Sequence, residues 1–165
     1  MELDQAYREN VNDLYRYLYS LSKDHFIAED LVQEAFYRAY LHLEDYEISN
    51  IRAWLFKVAY HAFIDFQRKN KRLVTVDQLV EGESGSKETP EKRLLEKESF
   101  QRLLADIDSL REQERHVLLL CDLHQLKYHE AADVLGIKLN TLKSHLHRAR
   151  KKVMDRVKER MKTDE

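Results

Sequence analysis

Along most of the chain, apolar residues recur at spacings of three and four and are not arranged in alternating runs. That pattern predicts helices and no sheet. A first helix is expected over residues 5–22, with Val11, Leu14, Leu18 and Leu21 on one stripe. A second is expected over 26–43, on Ala28, Leu31, Val32, Ala35, Ala39 and Leu43. A third opens behind Ser49-Asn50 as its cap and runs to about residue 69, on Ile51, Leu55, Val58, Ala62 and Phe66. The stretch 73–89 then breaks the pattern with Gly82, Ser84, Gly85 and Ser86 and ends in Thr89-Pro90. This is the composition of a linker followed by an N-cap and a proline at the first helical position. Helices resume over 91–107, 112–123 and 128–135, and again from 141 onward.

The last two helices carry the most specific pattern. Ala132 falls where two helices would cross, and a larger side chain there would hold them apart. Gly136 follows where the first of them must end, in a left-handed backbone that glycine adopts freely. Leu142 would anchor the second helix, and Asn140 is placed to cap it. Leu142, Leu146, Ala149 and Val153 then face inward, while Thr141, Lys143, Ser144, His147, Arg148 and Lys151 face outward. Short polar and basic side chains of this kind suit base edges and phosphates in a major groove. The basic run Arg148, Arg150, Lys151 and Lys152 would add phosphate contacts. The plainer alternative is a helical hairpin with a basic solvent face. The fold class expected is therefore all-α, with two small helical domains, 1–72 and 91–165, on a flexible linker, 73–90. The second domain carries a helix-turn-helix.

Composition narrows the class. A hydrophobic share of 43% with a charged share of 35% belongs to a globular chain. Residues 1–10 are polar and acidic, unlike a signal peptide, and no apolar run is long enough to cross a bilayer. The single cysteine, Cys121, excludes an internal disulfide and fits a reducing, cytoplasmic setting. The net charge of −2 conceals an asymmetry: residues 1–50 carry four basic and eleven acidic side chains, 51–72 six and one, and 138–162 ten and two. Two separate basic blocks are a footprint of nucleic-acid binding.

The outer faces of the second and third helices differ in chemistry. On the second, Asp30, Gln33, Glu34, Tyr37 and Leu41 lie opposite the apolar stripe. An aromatic and a leucine among acids suit docking on another protein, although single exposed apolar residues are also ordinary. The third carries five aromatics between Trp54 and Phe66, with Lys57, His61 and Arg68 among them. Rings interleaved with cations suit single-stranded DNA, whose bases stack while its phosphates pair. For Phe56 and Phe63 the stronger reading is a helix packed on two sides.

With these residues in view, the chain resembles sigma factors of the extracytoplasmic-function (ECF) type. AEDLVQEAF at 28–36 is similar to the family's polymerase-binding helix. IRAWLFKVA at 51–59 is similar to its segment that opens DNA and reads the −10 element, and LKSHLHRAR at 142–150 to its −35 reading helix. The resemblance implies a protein that binds core RNA polymerase through Asp30, Gln33, Glu34 and Tyr37. It would open promoter DNA and read the −10 element through Arg52, Trp54, Lys57, Tyr60, His61, Arg68 and Lys69. It would read the −35 element through Thr141, Lys143, Ser144, His147, Arg148 and Lys151. A membrane-bound anti-sigma protein is the implied inhibitor, with no insertion of this chain into the membrane, and no catalysis or cofactor is implied. Three positions depart from the pattern. His61 stands where asparagine is usual, Lys127 where serine or threonine often caps a helix, and His145 where arginine is common, which removes a phosphate contact at neutral pH.

Two rivals are weaker. A zinc site at Cys121, His124 and His129 lacks paired ligand spacing, and no phosphate loop or nucleophile elbow is present to support an enzyme. A stand-alone helix-turn-helix regulator would need a sensor pocket or dimer seam in its first half. An acidic docking helix followed by a basic aromatic one does not supply either.

Overall fold

The computed structural model describes residues 3–42, 50–73 and 89–163. Leu43, Ser49 and most of the expected linker lie outside the described residues. The chain divides into two compact units, Met1–Arg93 and Leu94–Glu165. No strand occurs among the described residues.

The first unit is built on α1 (Leu3–Ser22), α2 (His25–His42) and α3 (Ile51–Leu73). Local chemistry sets the breaks. Lys23 takes a left-handed φ of 58° at the end of α1, and its N–H donates to the Tyr19 carbonyl at 2.7 Å. The Asp24 carboxylate accepts from the Ile27 N–H at 2.9 Å and caps α2. Asn50 caps α3, its side-chain oxygen accepting from the Ala53 N–H at 3.2 Å. Ala28, Ala35 and Ala39 on α2 are fully covered, as small residues between close helices should be.

The core face of α3 differs from the expected stripe. Leu55 and Ala62 are buried, but Ile51, Val58 and Phe66 are only half-buried, and Phe56, Ala59 and Phe63 complete the core. The reason is that α3 packs on both α1 and α2. Its buried arc is therefore wider and turned toward the aromatic side; the Phe56 ring meets Tyr17 of α1 at 5.1 Å.

Thr89 and Pro90 start α4 (Pro90–Glu96) as the sequence implies, with the Thr89 hydroxyl accepting from the Lys92 N–H at 3.2 Å. The first turn of α4 belongs to the first unit. Lys92 is buried there and paired with Glu29 at 2.9 Å, and Glu91 pairs with Arg16 at 3.3 Å.

In the second unit the expected helix over 91–107 is broken. Lys97 is extended (ψ 140°), and α5 runs Glu98–Asp108. The Leu95 carbonyl near the break accepts from the Gln101 side chain at 2.6 Å. Next, α6 (Glu112–Leu118) passes into a π-helical turn, Leu119–Leu123. That turn ends at Gln125, whose φ is 56°. The last pair is α7 (Tyr128–Leu135) and α8 (Leu139–Thr163). Val117, Leu119, Leu120, Ala131, Val134, Leu142, Leu146 and Ala149 form the core.

His116 on α6 is also buried in this core. Burial, helped by the neighbouring Arg115 charge, depresses its imidazole to about 4, with the Glu112 carboxylate at 3.8 Å acting weakly the other way. The unfolded chain titrates the same ring near its ordinary 6.5. The unfolded state therefore binds the extra proton between those values. Stability from His116 is present above 6.5 and lost as pH falls toward 4. In calorimetry of the second unit's transition, a His116→Leu variant should lose stability over that window less steeply than wild type, by about 1.4 kcal/mol per pH unit. Parallel pH profiles would contradict the assignment.

Candidate functional site

The helix-turn-helix is closed by a Schellman turn. Gly136 is left-handed (φ 65°, ψ 36°). The Ile137 N–H donates to the Ala132 carbonyl at 3.1 Å and the Gly136 N–H to Asp133 at 3.3 Å. Ala132 is buried, as the crossing requires. The start of α7 is secured despite Lys127, because the Glu130 carboxylate accepts from the Lys127 N–H at 2.9 Å. Asn140 does not cap α8. The helix begins earlier, at Leu139, with the Leu142 N–H bonded to the Lys138 carbonyl at 2.9 Å, and Asn140 lies exposed in the first turn.

Thr141, Lys143, Ser144, His147, Arg148 and Lys151 are all exposed, on the side of α8 away from buried Leu142, Leu146 and Ala149. The basic run divides unexpectedly. Arg150 is held by Asp122 at 2.6 and 2.9 Å, with the Tyr128 hydroxyl at 3.4 Å. Lys152 donates to Glu114 at 2.7 Å, and Arg148 lies 3.6 Å from the same carboxylate. Arg148 also meets His145 Nδ1 at 2.9 Å. Among the described residues, Lys143, His147 and Lys151 make no such contact. Sequence reading did not find Glu114 and Asp122, because their partners lie 38 and 28 residues away.

In the first unit, Asp30, Gln33, Glu34 and Tyr37 share the exposed face of α2. They line a groove of about 670 Å³ whose far wall includes Asp65 and Lys69 of α3. Tyr37 is 60% exposed, Leu41 52% and Phe26 49%, a large apolar share for an acidic face. Glu34 accepts from Arg38 at 3.0 Å, and Arg38 reaches on to Asp65 at 3.0 Å.

The seven residues expected to act on the −10 region do not form one cluster. Trp54, Lys57 and His61 meet in a depression of about 350 Å³ completed by Arg38 and His42 of α2, which sequence reading did not include. Arg52 pairs instead with Asp13 at 3.4 Å and lies 4.9 Å above the Phe56 ring. Tyr60 is half-buried beside His61, with ring centroids 5.8 Å apart. Arg68 and Lys69 are exposed further along α3. Phe56 and Phe63 are core residues.

Cys121 is buried, and burial pushes its thiol up to about 11, so it stays protonated at neutral pH. Among the described residues no three His, Cys, Asp or Glu side chains are grouped to hold a metal, and no helix is long and apolar enough to cross a membrane.

The helical units match known ones. Residues 6–73 match the family described as Sigma-70 region 2, and residues 100–153 match Sigma-70, region 4. The ECF RNA polymerase sigma factor SigM of Bacillus subtilis is 37% identical over 155 residues, 93% of each chain. The chain belongs to the ECF sigma factors. It is thus a non-enzymatic transcription initiation factor. Region 2 matches residues 6–73, the part in which a stand-alone regulator would carry a sensor or dimerisation domain, and nothing found favours that alternative. Among solved structures, the ECF chain resembles the sigma factor RpoE of Bartonella quintana, solved with the anti-sigma factor NepR. That likeness has a TM-score of 0.75 and 25% identity, covering 94% of this chain and 96% of that one. CnrH, solved with the cytosolic domain of CnrY, shares the fold at TM-score 0.68 and 22% identity, with 95% and 88% covered.

The aromatic residues of this ECF helix should separate by stability. Phe56→Ala should cost about 3–5 kcal/mol, the usual loss for a buried phenylalanine. Trp54→Ala and Tyr60→Ala should each cost less than half as much in urea unfolding. Equal losses would place all three rings in one core.

Proposed function

We propose that the chain carries core RNA polymerase to promoters by dividing the work between two DNA-facing surfaces of unlike chemistry. That division of surfaces carries the reading. In the N-terminal part, residues 1–72, the polymerase would dock on Asp30, Gln33, Glu34 and Tyr37, whose exposed acidic and aromatic side chains flank a groove. Trp54, Lys57 and His61 would receive unpaired −10 bases, because a ring stacks on a base only after the pair has opened. Arg52, Tyr60, Arg68 and Lys69 would act beside them on the separating strands. In the C-terminal part, residues 91–165, Thr141, Lys143, Ser144, His147, Arg148 and Lys151 would read the −35 duplex from the exposed face of α8. Residues 73–90 would tether the two parts.

An anti-sigma protein is the expected regulator, since RpoE and CnrH were solved with an anti-sigma factor and with the cytosolic domain of CnrY. The cytoplasm is the place where polymerase and promoter are met. A membrane-bound anti-sigma partner would hold the chain at the membrane without inserting it.

Reversing charge at Asp30 and Glu34 should weaken capture of core polymerase while the helical spectrum stays the same. Unchanged capture would remove the docking assignment. In holoenzyme–promoter complexes, Trp54→Ala and Tyr60→Ala should reduce permanganate reactivity of unpaired −10 thymines and leave closed duplex binding largely intact. If both variants lose duplex binding and opening together, the strand-opening role of those rings is wrong.

A further inference from the structure

The cations of α8 are not equally available to DNA. Lys143 and Lys151 point outward and have no hydrogen-bond or ion-pair partner among the described residues. Lys152 reaches the α6 carboxylate Glu114, and Arg148, one turn before it at the edge of the outward face, approaches the same group. Glu114 is only 2% exposed, and both cations reach it. Its Oε1 takes the Lys152 ammonium at 2.7 Å and the Arg111 N–H at 3.3 Å, while Oε2 lies 3.6 Å from Arg148 Nε. Burial disfavours its charge, but the hydrogen bonds from Lys152 and the Arg111 N–H outweigh that and keep the carboxyl below its usual range. Beside it, Arg111, Gln113, His145 and Arg148 line a cleft of about 310 Å³. A full negative charge therefore stands directly behind the face that would approach DNA.

Such a charge is costly for attraction to phosphates, which is the main source of indiscriminate DNA binding. It has a use where the quantity that matters is the ratio of specific to non-specific affinity. We propose that Glu114 is a specificity-determining residue of the C-terminal DNA face, acting through Lys152 and Arg148. It draws Lys152 back from the phosphates and holds Arg148 at the edge of the outward face, so that undirected backbone attraction stays low and base reading by that face decides where the chain binds. This deepens the proposed −35 reading and rests on it.

The test uses the full chain. Wild type and Glu114→Gln are titrated with a short duplex of random sequence at several salt concentrations, and with duplexes that wild type selects from a random pool. Glutamine keeps the acceptor for the Arg111 N–H and removes the charge. The variant should bind random duplex roughly tenfold tighter, its log K against log salt should steepen by about one to two, and its preference for the selected duplexes should fall. A second pair of variants reads the same point without touching Glu114. Lys151→Gln should flatten the wild-type slope by about one, whereas Lys152→Gln should leave it unchanged. An unchanged slope in Glu114→Gln, or equal flattening by both lysine variants, would overturn the inference and leave the −35 reading standing. Absence of salt-dependent duplex binding by wild type would overturn the reading itself and the inference with it.

Discussion

A helical unit of roughly seventy residues can close a core only if each helix gives it one continuous arc. What lies outside that arc stays in solvent. In α2 the arc is Ala28, Leu31, Val32, Ala35 and Ala39, which leaves Asp30, Gln33, Glu34 and Tyr37 outside. In α8 it is Leu142, Leu146 and Ala149, which leaves Lys143, His147 and Lys151 outside. The central α3 is flanked on two sides, gives up a wider arc, and keeps Trp54, Lys57, Val58 and Tyr60 part-exposed and His61 exposed in its first half besides its opening residues. The positions open to partners are those the core could not use.

Ion pairs then decide how the exposed side chains are presented. Asp13 holds Arg52, Asp65 and Glu34 hold Arg38, Asp122 holds Arg150 and Glu114 holds Lys152. Apart from the one to buried Glu114, these pairs are exposed on both sides and contribute little to stability one by one. Their effect is geometric: each fixes where a long cationic side chain lies when a phosphate or a partner's carboxylate arrives.

The helix-turn-helix was legible because its determinants are steric and local. Gly136 needs its torsion, Ala132 needs to be small, and the α8 stripe repeats without interruption. Asn140 does not serve as the cap because α8 already begins at Leu139, behind Lys138, whose side chain has no acceptor to offer the first turn. The α3 stripe was misjudged because periodicity assumes one packing partner and the helix has two. The break at Lys97 and the π-turn at Leu119–Leu123 fall among good helix formers, where tertiary packing overrides propensity. In the candidate site, the outward faces followed from the pattern, but the contributions of Arg38, His42, Glu114 and Asp122 did not. Each depends on a neighbour across the fold rather than along the chain.

Gly136 carries a consequence for how such a chain can diverge. A Cβ there would meet no atom within 4 Å, so the position favours glycine by torsion and not by crowding. Residues that tolerate the left-handed region, asparagine above all, could occupy the corner without any repacking around it. Exchange of glycine for asparagine at this corner would therefore cost torsional strain, with open space at Cβ and the helix crossing left as it is. Ala132, enclosed by the core, has no such freedom.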